Sequence, residues 1–191
     1  MSSHPPLAVI TGAGSGIGRA LALEAGRAGY DLVLVGRRLY ALEETAAQIR
    51  GVSVAVIDAD ITRPEDRLRL CDAIGDGLDL LINNAGCLSV GRITDQQDED
   101  ITRLMNTNLI APILLTRDLI PTLARRKGHI ANIGSMFGMI AFPYFTSYSA
   151  SKFALRGLSD ALRRELEEYS ITVSYIAPRA TRTPAQSQFD H

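Results

Sequence analysis

Short apolar runs alternate with longer amphipathic segments along almost the whole chain. The runs predict six strands, at residues 7–10, 32–35, 52–57, 78–82, 129–133 and 171–176. Between them, helical spacing of apolar residues appears at about residues 17–29, 39–50, 98–127 and 147–169, and Pro64 suits the first turn of a further helix. Pro112 and Pro121 are expected to bend or break the longest helical segment.

The strand runs are continuously apolar, which is typical of strands that are covered on both faces. Strands that alternate with helices in this way pair in parallel through right-handed crossovers. We therefore expect one α/β domain over residues 1–191, with no interdomain linker, internal repeat or low-complexity tract. Its predicted architecture is a doubly wound, Rossmann-like parallel sheet in three α/β/α layers, with strand order 3-2-1-4-5-6.

Composition narrows the class of protein. The 191 residues are 46% hydrophobic and 21% charged, as in ordinary globular proteins, and the net charge of −1 with no long basic run predicts no nucleic-acid partner. No apolar stretch is long enough to span a bilayer, and the first residues lack the features of a signal peptide. We expect a cytoplasmic protein with no membrane partner. Cys71 and Cys87 are the only cysteines, too few for a disulfide framework or a zinc site.

A glycine-rich turn follows the first predicted strand. Residues 11–18 read Thr-Gly-Ala-Gly-Ser-Gly-Ile-Gly and lead into the first helix. Glycine permits tight backbone angles and close approach of a ligand, and a helix N-terminus suits a pyrophosphate. The turn therefore indicates dinucleotide binding; the alternative is a turn that only packs strand against helix.

The end of the second strand bears on which dinucleotide fits. An NAD site usually places a carboxylate there, whereas this chain continues Gly36-Arg37-Arg38. A guanidinium can bind a 2′-phosphate through several donors, so NADP(H) is favoured over NAD(H). In the alternative interpretation both arginines are solvated, which suits Arg38 better than Arg37.

Tyr148 and Lys152 stand four residues apart at the start of a predicted helix, so they share one face. An isolated tyrosine, with a pKa of ~10, is a poor acid–base catalyst at neutral pH, and a nearby ammonium lowers that pKa. Only two of the 20 basic residues are lysines, Lys127 and Lys152. A compact ammonium that can bond ribose hydroxyls explains a lysine at this position in an arginine-rich chain.

Together, these motifs resemble those of the short-chain dehydrogenase/reductase family. The resemblance is carried by Thr11-Gly12-x-x-x-Gly16-x-Gly18, Asn83-Asn84-Ala85-Gly86, Ser135 and Tyr148-x-x-x-Lys152, in the family's order and spacing. The single-domain branch of the family fits better than the longer epimerase-like branch, which has a different glycine spacing.

The resemblance implies catalytic roles for four residues. Tyr148 is the general acid in reduction and the general base in oxidation, and Lys152 lowers its pKa and holds the nicotinamide ribose. Ser135 hydrogen-bonds the substrate oxygen, and Asn108 organises a proton-relay water. From the residues alone, Ser135 also reads as a serine capping its own turn, and Asn108 as a helix residue that bonds backbone.

The residues and the resemblance together predict a set of cofactor contacts and no metal. The set is Gly12, Ser15, Gly16, Ile17, Gly18, Arg37, Asp60, Asn84, Ala85, Gly86, Tyr148, Lys152, Pro178 and Thr183. Within it, Asp60 lies on the adenine side, residues 83–86 line the cofactor floor, and Pro178 and Thr183 flank the nicotinamide carboxamide. Asp60 has the alternative role of capping the turn before Pro64.

The chain departs from the family pattern in two places. It has Pro178-Arg179 where Pro-Gly is usual, and it stops soon after Thr183, where members usually continue. We therefore expect the last strand and the substrate lid to be missing.

Three functions remain open at this point. The first is an NADP(H)-dependent carbonyl reductase or alcohol dehydrogenase, the second an inactive NADP(H)-binding regulatory or scaffold protein, and the third a related isomerase or dehydratase. Apolar residues between Ser135 and Tyr148 form either core or a pocket wall for a partly apolar carbonyl or alcohol substrate. The resemblance further implies a homodimer, or a homotetramer, through the helices at 98–127 and 147–169.

Overall fold

Six short apolar strands build a parallel sheet, and the computed structural model describes them within residues 5–179. They are β1 (Leu7–Thr11), β2 (Asp31–Gly36), β3 (Val54–Asp58), β4 (Leu80–Asn83), β5 (His129–Ile133) and β6 (Thr172–Ile176). Their order is β3-β2-β1-β4-β5-β6, and every neighbouring pair is parallel. The predicted strand order is confirmed.

Helices cover both faces of this sheet. They are α1 (Gly16–Arg27), α2 (Leu39–Ala46), α3 (Pro64–Ile74), α4 (Asp98–Met105), α5 (Ala111–Arg126) and α6 (Thr146–Glu165). The side chains of β1 alternate between two buried clusters: Ala8 and Ile10 pack with α1 and α2, whereas Val9 packs with α3, α5 and α6. This alternation produces the predicted three layers, because the four central strands β2, β1, β4 and β5 bury both of their faces. No helix in residues 5–179 is long and apolar enough to cross a bilayer.

The long helical segment is interrupted earlier than expected. Between α4 and α5, residues Asn106–Ile110 form a π-helical turn, directly before Pro112 in the first turn of α5. Pro112 has no N–H to offer the carbonyl of Asn108, so regular α-helical bonding stops there. Pro121 does not end the helix. It lies inside α5, on the exposed side.

Two other predicted helices are shorter than their periodicity indicated. The end of the second one, residues 47–50, has i→i+3 hydrogen bonds from Gln48 to Thr45 and from Ile49 to Ala46. The end of the last one is a 3₁₀ turn, Leu166–Tyr169. At both ends the helical turn is tighter than in an α-helix, and its i→i+3 hydrogen bonds satisfy backbone carbonyls at the helix terminus.

Candidate active site

A cleft of about 370 Å³ opens where the carboxyl ends of the strands meet. Its lining includes most of the predicted cofactor contacts: Gly12, Ser15, Gly16, Ile17, Gly18, Arg37, Asp60, Asn84, Ala85, Gly86, Tyr148 and Lys152. Ser135 and Pro178 do not line this cleft, and Thr183 lies outside the described residues. In residues 5–179 no three His, Cys, Asp or Glu side chains are grouped so that they could hold a metal ion.

The glycine turn after β1 is shaped for close approach of a ligand. Gly12 and Gly16 have φ of 68° and 54°, in the left-handed region that favours glycine. A Cβ at Gly18 would lie 2.2 Å from the carbonyl oxygen of Gly12. Ser15 precedes α1 without a side-chain capping bond, so the amides of the first turn of α1 are open to an anion. These features fit the pyrophosphate of a dinucleotide.

Thr11 joins the glycine turn to the end of β4. Its Oγ1 donates to the carbonyl of Ile82 at 3.2 Å and accepts the amides of Asn84 and Ala85 at 3.0 Å each. Asn84 in turn donates its Nδ2 to the carbonyl of Thr11 at 2.9 Å. Sequence reasoning assigned Thr11 no role, although its place directly before the glycines is a signal for one. The two halves of the cleft floor are therefore held together by these bonds.

Two arginines stand at the edge of the cleft after β2. Arg37 and Arg38 are both exposed and both line the cleft. Arg38 donates Nη2 to Ser15 Oγ at 3.3 Å, which carries its guanidinium across to the glycine turn. The residues alone favoured Arg37 over Arg38 as a cofactor contact, whereas the structure places both beside the cleft.

Asp60 follows β3 and lies both in the turn before Pro64 and at the cleft. Its Oδ1 accepts the amide of Thr62 at 3.0 Å and the hydroxyl of Thr62 at 2.7 Å, which makes an Asx turn before Pro64. Asp60 nevertheless lines the cleft next to Ala59 and Ile61. The carboxylate is thus held in place at the same edge as Arg37.

Tyr148 and Ser135 are brought together at the other end of the cleft. Ser135 follows β5 and accepts the amide of Phe137 with its Oγ at 3.2 Å, so it caps its own turn, as the alternative interpretation proposed. Burial raises the pKa of the Tyr148 hydroxyl, and the neighbouring Ser135 side chain opposes that shift. In this structure burial, rather than a lysine charge, is therefore the largest influence on the pKa of Tyr148.

Lys152 is buried one helical turn beyond Tyr148 in α6. Its Nζ donates to the carbonyl of Ile133 at 3.0 Å and lies 5.8 Å from the centre of the Tyr148 ring. Burial lowers the pKa of Lys152 to about 8. The ammonium is thus held close to the tyrosine by a neutral backbone acceptor.

Because the pKa of Lys152 is lowered from 10.5 to about 8, the unfolded chain binds more protons than the folded one between these values. Stability therefore rises with pH through this window, by up to about 3 kcal/mol. Urea unfolding of the wild type and of Lys152→Met from pH 7 to 10.5 measures this effect. We expect the free energy of unfolding of the wild type to rise relative to that of Lys152→Met as the pH rises. A difference between the two that stays constant with pH would contradict the buried ammonium.

Asn108 lies in the π-helical turn and is almost fully buried. Its Nδ2 donates to the carbonyl of Cys87 at 2.9 Å and to Ser151 Oγ at 3.1 Å, and its Oδ1 accepts the amide of Cys87 at 2.8 Å. The side chain therefore bonds backbone, as the alternative interpretation proposed, and links the loop after β4 to α6. Pro112, four residues later, has no N–H to donate to the backbone carbonyl of Asn108.

The segment between Ser135 and Tyr148 presents apolar side chains to solvent. Phe137 is an exception, because it packs inward with ring centres 5.8 Å from Tyr148 and 4.5 Å from Phe145. The exposed apolar members are Met136, Met139, Ile140, Phe142 and Tyr144. The amide of Gly91 donates to the carbonyl of Tyr144 at 2.9 Å, which ties this segment to the loop after β4. Residues 136–151 contain no Asp, Glu, Lys, Arg or His.

Comparison with known proteins places this geometry in context. The family model described as "short chain dehydrogenase" matches residues 6–191. The mouse protein "Dehydrogenase/reductase SDR family member 7B" is 38% identical over 181 residues, which are 89% of this chain and 56% of the mouse protein. An uncharacterized oxidoreductase of Staphylococcus aureus is 32% identical over 188 residues, 96% of this chain and 81% of that protein. The chain thus spans little more than half the length of its mouse relative.

Solved structures share the fold closely. A short-chain dehydrogenase from Sphingobium yanoikuyae in complex with NADPH is 36% identical with a TM-score of 0.89, covering 96% of this chain and 74% of that one. A bulky-bulky ketone specific alcohol dehydrogenase from Comamonas testosteroni is 35% identical with a TM-score of 0.87, covering 93% and 74% of the two chains.

Proposed function

Because the chain belongs to the short chain dehydrogenase family, we propose that it is an NADP(H)-dependent oxidoreductase that acts on a carbonyl or a secondary alcohol. One observation carries the proposal: the neighbouring side chains of Ser135 and Tyr148 and the buried Lys152 meet at the same end of the sheet as the glycine turn. Ligands of doubly wound sheets bind at this end.

In the proposed reaction Tyr148, Ser135 and Lys152 have separate roles. Bound NADP(H) supplies the hydride donor or acceptor. In reduction Tyr148 donates its hydroxyl proton to the carbonyl oxygen, while Ser135 donates a hydrogen bond to that oxygen as negative charge develops. Lys152 favours the phenolate that Tyr148 becomes, because its ammonium lies beside the ring. In oxidation Tyr148 takes the proton back.

The preference for NADPH rests on Arg37 and Arg38. No carboxylate ends β2, and the two exposed guanidinium groups at the cleft, of which that of Arg38 bonds Ser15, suit a ribose 2′-phosphate. The complex of the Sphingobium relative with NADPH supports this preference.

A fluorescence titration tests the preference, since the chain has no tryptophan to interfere with the reduced nicotinamide. We expect tighter binding of NADPH than of NADH. Arg37→Ala and Arg38→Ala should each weaken NADPH binding by roughly ten- to a hundredfold, the loss typical of a hydrogen bond to a charged group, and leave NADH binding nearly unchanged. The control is Arg125→Ala, which removes a pair with Asp76 away from the cleft. Equal losses for both cofactors, or a preference for NADH, would contradict the assignment.

The exposed apolar segment that precedes Tyr148 in the chain suits an uncharged substrate with apolar groups. The exposed side chains of Met139, Ile140 and Phe142 offer it contact area, and residues 136–151 offer no charge to a charged substrate. A panel of ketones and aldehydes with NADPH tests both activity and substrate class. Saturable NADPH binding without turnover on the panel would instead support the inactive nucleotide-binding protein.

We further propose that the protein is a homodimer. Ile110 and Phe153 are exposed on the π-helical turn and α6, within the two helical segments that the family resemblance assigns to pairing. Sedimentation at micromolar concentration tests this, and a monomer alone would count against it.

A further inference from the structure

Tyr175 is a residue of β6 whose hydroxyl is placed among the backbone atoms of two residues assigned to catalysis. It accepts the amide of Ser135 at 3.3 Å. It also lies 3.2 Å from the carbonyl of Ser135 and 3.4 Å from the carbonyl of Lys152, either of which accepts its proton. One phenol thus contacts the backbone of both Ser135 and Lys152.

The chain around Ser135 is shaped to admit this phenol. A Cβ at Gly134 would lie 2.1 Å from the Tyr175 ring, and a Cβ at Gly138 would lie 2.1 Å from the Tyr175 hydroxyl. Both distances are far below van der Waals contact, so the ring occupies space that only two glycines leave open. The glycines before and after Ser135 are therefore explained by Tyr175 packing directly beneath the turn.

The Ser135 amide lies between two backbone hydrogen bonds to the β6 side of the sheet. Beyond the end of β5 at Ile133, the amide of Gly134 donates to the carbonyl of Ile176 at 2.7 Å, and the amide of Met136 donates to the carbonyl of Pro178 at 3.4 Å. The amide between them, that of Ser135, donates to the Tyr175 hydroxyl. A side chain on β6 thus fixes the backbone that carries the Ser135 hydroxyl beside Tyr148.

We propose that Tyr175 is a positioning residue for the reaction, which holds the Ser135 turn in register with the start of α6. It acts through Ser135 and Lys152 and does not contact the substrate. Since the distance between the Ser135 and Tyr148 side chains depends on the position of the Ser135 turn, loss of the Tyr175 hydroxyl misplaces the groups around the reacting oxygen. This inference rests on the proposed function, because it concerns the same reaction.

Tyr175→Phe tests the role, since it removes the hydroxyl and keeps the ring between Gly134 and Gly138. We expect kcat to fall about tenfold, the effect of losing one buried hydrogen bond at a positioned group. The NADPH dissociation constant should stay at the wild-type value, because Arg37, Arg38 and the glycine turn are untouched. Tyr169→Phe, at an exposed tyrosine after α6, is the matched control and should change neither quantity.

Hydrogen–deuterium exchange of the peptide containing Ser135 separates this inference from the proposed function. Faster exchange there in Tyr175→Phe, but not in Tyr169→Phe, is expected whether or not a substrate is found. A wild-type protein without turnover would overturn the proposed function, and unchanged exchange would overturn the contact. If the wild type is active and Tyr175→Phe keeps its kcat, the positioning role is overturned. A change in KM without a change in kcat would overturn it too.

Discussion

Replacing Tyr148 with phenylalanine is expected to lower kcat by roughly a hundred- to ten-thousandfold, the contribution typical of a positioned general acid or base. The change removes only the hydroxyl, which lies beside Ser135. The ring remains packed edge-on against Phe137, at 5.8 Å between centres, so the fold around it should persist. Steady-state kinetics on the best ketone of the panel, in both directions, gives the measurement.

The accompanying NADPH titration distinguishes a chemical loss from a binding loss. Tyr148→Phe should bind NADPH nearly as well as the wild type, because the glycine turn and the arginines after β2 are unaltered. Tyr169→Phe, changed at an exposed hydroxyl, should retain full activity. Undiminished turnover in Tyr148→Phe would remove Tyr148 from the mechanism.

Those parts of the fold and the site that local patterns determine could be predicted from the sequence. Continuous apolar runs predicted a sheet buried on both faces, and the order of strands and helices predicted its topology, both of which the structure has. The spacing of Tyr148 and Lys152 placed them on one face of α6, and the position of that helix placed both in the cleft.

Other features depend on contacts between segments that are distant in the sequence, and a local sequence pattern does not reveal such contacts. Asn108 bonds Cys87 and Ser151 because the π-helical turn rotates it inward, and proline positions alone indicated a break but not this rotation. The importance of Tyr175 depends on the register of β6 beside β5, which brings its hydroxyl under Ser135. The glycines on either side of Ser135 are a local trace of that contact, but only the structure reveals what they accommodate.

The second large effect is expected at Gly18, where the glycine turn meets α1. In Gly18→Ala the new methyl group would lie 2.2 Å from the carbonyl oxygen of Gly12 and 2.5 Å from Asn84 Nδ2. The oxygen belongs to the backbone of the turn, so relief requires the turn itself to move. We expect a loss of about 3 kcal/mol in the free energy of unfolding, as for severe overpacking, and a large loss of NADPH affinity.

Gly157→Ala provides the matched control for this change. Gly157 is also a helical glycine, but a Cβ there meets nothing within 4 Å in the subunit, and it lies in α6 on the exposed side. That substitution should raise the free energy of unfolding by up to about 1 kcal/mol and leave NADPH binding unchanged. Urea unfolding and NADPH titration of both variants make the comparison. If Gly18→Ala bound NADPH like the wild type, the turn would not be the pyrophosphate site, because a displaced cradle cannot keep its amides on the same ligand.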